Sequence, residues 1–199
     1  MAEPTPTPVP ASPADTSDAF VETPPASEPG LAIQCQCGYI TLRTATPRPL
    51  WLAHCHCTDC RKQSGSAFGA SAYFPPGPGF YPLPPDIAAR VGVYTRPTDS
   101  GNTMHCYFCP RCGVRLLHAV VLPDGSLRPA LSVKAGCIED PERVIDWSRA
   151  KHIFTRSAVT PLVADWETYE VMPPQPPPLP AAAAATLSSS DGPGKAETD

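Results

Sequence analysis

His54-Cys55-His56-Cys57-Thr58-Asp59-Cys60-Arg61-Lys62 places three cysteines within six residues, spaced C-x-C-x-x-C. That crowding does not suit ordinary core packing, and three thiolates so placed can close around one zinc ion at about 2.3 Å per Zn–S bond. The run supplies three sulfurs and no evident fourth. A separate four lie elsewhere, in Cys35-Gln36-Cys37-Gly38 and in Cys109-Pro110-Arg111-Cys112-Gly113. Closed structural zinc sites take four protein ligands, whereas catalytic sites commonly take three and keep a position open. Seven cysteines therefore divide as four plus three, one structural and one reactive metal.

Composition narrows the alternatives. A chain of 199 residues with net charge −4 can build one domain with a real core. Residues 1–30 carry five acids and no Lys or Arg, and residues 173–199 carry three acids against Lys195. The middle is left with 14 basic and 11 acidic side chains, net +3. A weak positive balance suits a small anionic substrate, not the concentrated basic stripe of a nucleic-acid binder. Nine cysteines would also fit a secreted disulfide framework, but the stretch Met1-Ala2-Glu3-Pro4-Thr5-Pro6 offers no basic and then apolar leader. Pairs one residue apart, Cys35/Cys37 and Cys55/Cys57, are poor disulfide partners in extended chain. The expectation is a reduced, cytoplasmic, metal-binding protein. No apolar run nears the ~20 residues that span a bilayer, and Leu116 to Leu122 is strand-sized.

The two ends are rich in Pro, Ala, Ser and Thr, and read as disordered tails over 1–30 and 173–199. The folded unit is expected over 31–172. Short β-branched or aromatic runs recur there: Tyr39–Arg43, Ser66–Phe74, Asn102–Phe108, Val114–Val121 and Ala130–Lys134. Turn chemistry separates them at 75–79, 99–102 and 123–126, the last reading as a hairpin. A mainly β, mainly antiparallel domain is expected, with helical turns from Asp59 to Lys62 and from Asp140 to Val144, where Pro141 suits a first turn.

Each half of the four-cysteine set ends in glycine, at Gly38 and Gly113. A glycine there can take φ > 0 and turn backbone amides toward sulfur, the chemistry of a zinc knuckle. One such zinc would pin the first strand to a later hairpin. Cys106 and Cys137 read as packed thiols, with Cys137 also a candidate ligand at the open zinc position. At the triad, His54 and His56 alternate onto the face opposite Cys55 and Cys57. His105, His118 and His152 remain distant candidates for a fourth ligand, which would close the site. The open reading gives a reactive metal beside Arg61 and Lys62; the closed one gives a brace for a binding surface.

The order C-x-C-G, then H-C-x-C-x-x-C-R-K-x-S-G-S, then S-G-N-T, F-C-x-x-C-G, V-K-A-G and H-I-F closely resembles the glutathione-dependent formaldehyde-activating enzyme family, which includes the centromere protein V group. The resemblance runs from about Leu31 to Tyr169. It implies a tent-like β domain stapled by zinc, with Cys35, Cys37, Cys109 and Cys112 at a structural ion and Cys55, Cys57 and Cys60 at a catalytic one. It also implies carbon–sulfur lyase or synthase chemistry on glutathione adducts, such as S-hydroxymethylglutathione formed from formaldehyde. Arg61, Lys62 and Lys134 are then candidate partners for glutathione carboxylates. The alternative is a non-catalytic zinc-stabilised binding module.

Overall fold

The computed structural model describes residues 29–173, so residues 1–28 and 174–199 of the expected tails lie outside the described residues. The chain opens with a small antiparallel pair, β1 (Ala32–Gln34) and β2 (Thr41–Arg43), joined by the Cys35–Gly38 turn. A second sheet follows, from β3 (Trp51–Cys55), β4 (Gly69–Phe74), β5 (Gly92–Pro97), β6 (Thr103–Phe108), β7 (Arg115–Val121), β8 (Leu131–Lys134) and β9 (Lys151–Ile153). Its order is β5-β6-β7-β8-β4-β3-β9. Every pairing in it is antiparallel except β3 with β9. The mainly β expectation therefore holds, with one parallel edge added. Three short helices, α1 (Thr58–Ser64), α2 (Pro85–Ala88) and α3 (Pro141–Val144), lie in the connections.

All five runs read as strands become strands, each trimmed only at its N-terminal end. The expected hairpin at 123–126 forms, with Leu122 N–H donating to Ser126 O and Gly125 at φ 85°. Pro141 opens α3, as its fixed φ allows. Strands β5 and β9 carried no readable pattern. β5 is a sheet edge with Val93 and Tyr94 about half exposed, so it lacks in/out alternation. β9 has three residues, and its partner β3 defines it.

Alternation gives the large sheet two unlike faces. One carries Leu52, Ala72, Phe74, Leu117, Ala119, Leu131 and Val133, all buried in the main core with Ile33, Ile40, Phe80 and Ile138. The β1–β2 pair belongs to this core, and Cys35 and Cys109 are buried within it. The opposite face carries Trp51, Ala53 and Cys55 of β3, with Ser71 and Tyr73 of β4. Here a smaller apolar cluster of Ala53, Cys55 and Ile153 packs against Trp51, Tyr73, Cys57 and Cys60. The sheet thus separates a dry core from a face that holds the cysteine triad.

Candidate functional site

Among the described residues, two groups could each hold a metal ion: Cys35, Cys37, Cys109 and Cys112, and Cys55, Cys57 and Cys60. Within each group the sulfurs all lie within 4.8 Å of one another. None of the nine cysteines is bridged to another.

The four-cysteine group is built from two hairpin turns. Cys35 N–H donates to Ile40 O and Gly38 N–H to Cys35 O; in the second turn Cys109 N–H donates to Val114 O and Gly113 N–H to Cys109 O. Gly38 and Gly113 stand at φ 71° and 75°, where a side chain would be strained. The turns aim amides at sulfur: Ile40 N–H meets Cys35 Sγ at 3.2 Å. A hydrogen bond from the Val114 amide leads the effects that hold the Cys112 thiol down at about 6. The spacings Cys35–Cys37 and Cys37–Cys109 are 3.6 and 3.7 Å. Sulfurs bound tetrahedrally at 2.3 Å stand about 3.8 Å apart, so the group already has the dimensions of a closed thiolate site.

The triad spans the junction of β3 and α1. Cys55 ends the strand, and Cys57 occupies the N-cap, its sulfur accepting from the Cys60 amide at 3.4 Å. Sulfur here takes the place of the usual cap oxygen, and the first-turn amides favour the thiolate. Hydrogen bonds from Cys55 and Cys60 pull the Cys57 thiol well down, while donation to Cys57 pushes Cys55 up. Cys60 approaches the sheet because Gly69 stands opposite Cys55. A Cβ at Gly69 would meet Cys60 Cβ at 3.2 Å. Gly65, at φ 59°, ends α1.

The sequence candidates separate in space. Lys134 lies within the field of the triad sulfurs, and its Nζ donates to Ser71 and Ser132 at 3.2 and 3.4 Å. Burial draws its pKa down, against the pull of the Cys60 and Cys55 charges. Arg61 is half-buried, turned toward Thr58 at 3.4 Å, with its Nε buried and unpartnered. Lys62 is exposed. Cys106 is buried in β6 outside both groups, and burial pushes Cys137 up to about 12 as it donates to Arg115 O.

No histidine joins the triad among the described residues. His54 and His56 instead meet His152 on the parallel strand, at 3.2 and 3.0 Å, in an imidazole chain whose His56 and His152 are buried and His54 half-buried. Trp166 stacks on His152 with centroids 4.0 Å apart. Burial, then the neighbouring imidazoles, holds His152 down at about 4, leaving it neutral in ordinary buffers. His118 stands on β7, paired with Ser132 of β8.

Sequence reasoning missed Trp51 and Tyr73, which stack with centroids 3.9 Å apart beside the triad. Burial first, then the Cys55 and Cys60 charges, raises the Tyr73 hydroxyl, so it stays protonated. Both residues sit in ordinary β patterns, and only the β3–β4 register brings them to the sulfurs.

A comparison with curated proteins returned no match. The family model described as Glutathione-dependent formaldehyde-activating enzyme matches residues 31–157, which takes in both cysteine groups, and the chain belongs to that family.

Proposed function

We propose that this protein is a zinc enzyme that makes or breaks a carbon–sulfur bond in glutathione adducts, S-hydroxymethylglutathione among them, in a reducing cytoplasmic setting. The observation that carries this reading is a group of three sulfurs with no fourth protein ligand among the described residues, facing Lys134 and the Tyr73 hydroxyl. The four-cysteine group is the structural site. A zinc ion bound by Cys55, Cys57 and Cys60 would supply an open position at which a substrate thiol is held as thiolate.

The chain's own residues set up the rest. Lys134 offsets the negative charge of three thiolates in a half-buried setting. The Trp51–Tyr73 stack shields one side of the triad from water. In the synthetic direction the thiolate sulfur bonds to the carbonyl carbon, and the C=O pair moves onto oxygen. The proton that the thiol gave up on binding returns to that oxygen by way of solvent, and Tyr73, which keeps its own proton, serves as a hydrogen-bond donor to it. Cleavage runs the same steps backwards. Arg61 and Lys62 on α1 suit the carboxylates of glutathione as charge partners.

Purified zinc-grown protein should contain two zinc ions per chain by elemental analysis; one ion or fewer would end the four-plus-three division. Cobalt replacement tests the open position, since cobalt–thiolate absorption reports each added sulfur. Glutathione should alter the spectrum of the triad and leave the four-cysteine site unchanged. Apparent affinity should rise as pH climbs toward the free thiol value of about 8.5, because binding expels the thiol proton. A spectrum fixed at millimolar glutathione, with no adduct made or cleaved, would favour the non-catalytic binding module.

A further inference from the structure

The stretch His152-Ile153-Phe154 has no task in the chemistry proposed above, yet His152 is tied to the segment that carries the sulfurs. Strand β3 ends at Cys55, and Cys57 already caps α1. The single residue between these two cysteines is His56. Strand β9 holds it twice: its backbone N–H donates to Ile153 O at 2.9 Å, and its Nε2 meets His152 Nδ1 at 3.0 Å. The other nitrogen of His152 meets His54, on the near side of Cys55, at 3.2 Å. Neutral His152 has one N–H and one lone pair, so it can donate to one neighbour and accept from the other.

Packing alone does not call for imidazoles here. The surrounding rings are aromatic: Phe68 lies 4.9 and 5.3 Å from His54 and His56 between centroids, and Trp166 lies 4.0 Å from His152. His56 and His152 are 0% and 3% exposed, and His56 Nδ1 is buried without a partner. Leaving such a group unpaired costs about 1–3 kcal/mol, which an apolar side chain of similar size would avoid. What an apolar side chain lacks is direction. Dispersion contacts are soft and hold a residue loosely along a surface, whereas a hydrogen bond fixes distance and angle together. Metal sites hold their ligand distances to within about 0.2 Å.

We propose that His152 is a positioning residue for the triad: through its contact with His56 it fixes the Cys55-His56-Cys57 link, and with it the relative placement of two of the three sulfurs. The effect is confined to one group. The four-cysteine turns are set by their own backbone hydrogen bonds, and that group contains no histidine.

This inference rests on a metal held by Cys55, Cys57 and Cys60, and its readout is metal binding, so it is judged apart from carbon–sulfur turnover. The zinc-loaded full chain is exposed to rising chelator, and cobalt-grown protein shows by its thiolate absorption which site empties. His152→Phe keeps a ring against Trp166 and loses both nitrogens. Its triad ion should be held about tenfold less tightly or worse, with the four-cysteine ion unchanged. His152→Asn puts a polar atom where Nδ1 stood, beside His56, and His152→Gln puts one where Nε2 stood, beside His54. Asn should keep affinity near that of the parent although it fills the space worst, and Gln should fall with Phe. A role in packing alone would instead make affinity follow the thermal melts.

An equally tight triad ion in His152→Phe overturns the inference, as does an equal fall in Asn and Gln, or an equal loosening of the four-cysteine ion. One zinc per chain in the parent ends the triad reading itself. If the variants do not fold, the parent decides by reciprocity, because a contact that favours the metal is favoured by the metal to the same extent. Withdrawing only the triad zinc should then speed exchange of the imidazole proton shared by His56 and His152 about tenfold in nitrogen-15 NMR. An unchanged exchange rate rejects the proposal.

Discussion

Cys109→Ser is expected to give a chain that fails to fold, or folds with several kcal/mol less stability, and retains at most the triad metal. Cys109 is fully buried in the main core and sits in the turn between β6 and β7. Its sulfur stands 3.7 Å from that of Cys37, which lies 72 residues earlier. A metal there would close a long loop and join the β1–β2 pair to the large sheet. Structural zinc contributes its binding energy to folding, about 10–16 kcal/mol of apparent affinity in small zinc domains. Serine is a far weaker zinc ligand and also leaves a hydroxyl in an apolar site. Thermal melts with elemental analysis decide the matter. A variant that melts like the parent with both metals in place would show that the four-cysteine group is not a structural site.

Cys57→Ser should do the reverse: a folded chain, one metal ion, and carbon–sulfur activity reduced by more than about 100-fold. That exceeds the 10–100-fold cost of altering a ligand's outer hydrogen-bond partner, since here a ligand itself is lost. The fold should survive because Cys57 is the α1 N-cap and only half-buried. Serine is among the favoured cap residues, so its hydroxyl can take over the Cys60 amide. The cobalt form of this variant should no longer respond to glutathione. Unfolding of Cys57→Ser, with Cys109→Ser left intact, would invert the assigned roles. Full activity without the triad metal would remove the proposed mechanism.

Both variants rest on a division that was legible in the chain. Cysteine spacing, the glycines after Cys37 and Cys112, and five β-rich runs between turns specify local geometry, and local geometry needs no distant partner. The structure brings the two cysteine groups together accordingly and forms each of those strands. The alternation that sends His54 away from Cys55 is equally local. Helix α1 was readable too, though it extends from Thr58 to Ser64, beyond the expected turn.

What the sequence could not decide was which distant strands lie side by side. The parallel pairing of β9 with β3 brings His152 between His54 and His56, a contact across 98 and 96 residues. Three residues of β9 carry too little pattern to announce a strand. Their register comes from packing, with the chain as far as Val171 bonded along their other side. A strip of polar residues past the sulfurs has the same origin. Ser71, Ser132, His118 and Cys106 come from four strands, and each alone is an unremarkable residue in a β run. Pairing registers place them on one face, and burial then makes the unpartnered His118 nitrogen costly. Spacing along the chain picked out the candidate metal ligands, because the atoms of each half of a group are neighbours in sequence. The surroundings of the sulfurs were decided by tertiary structure alone, because they depend on loop closure and packing among segments with no local sign of one another.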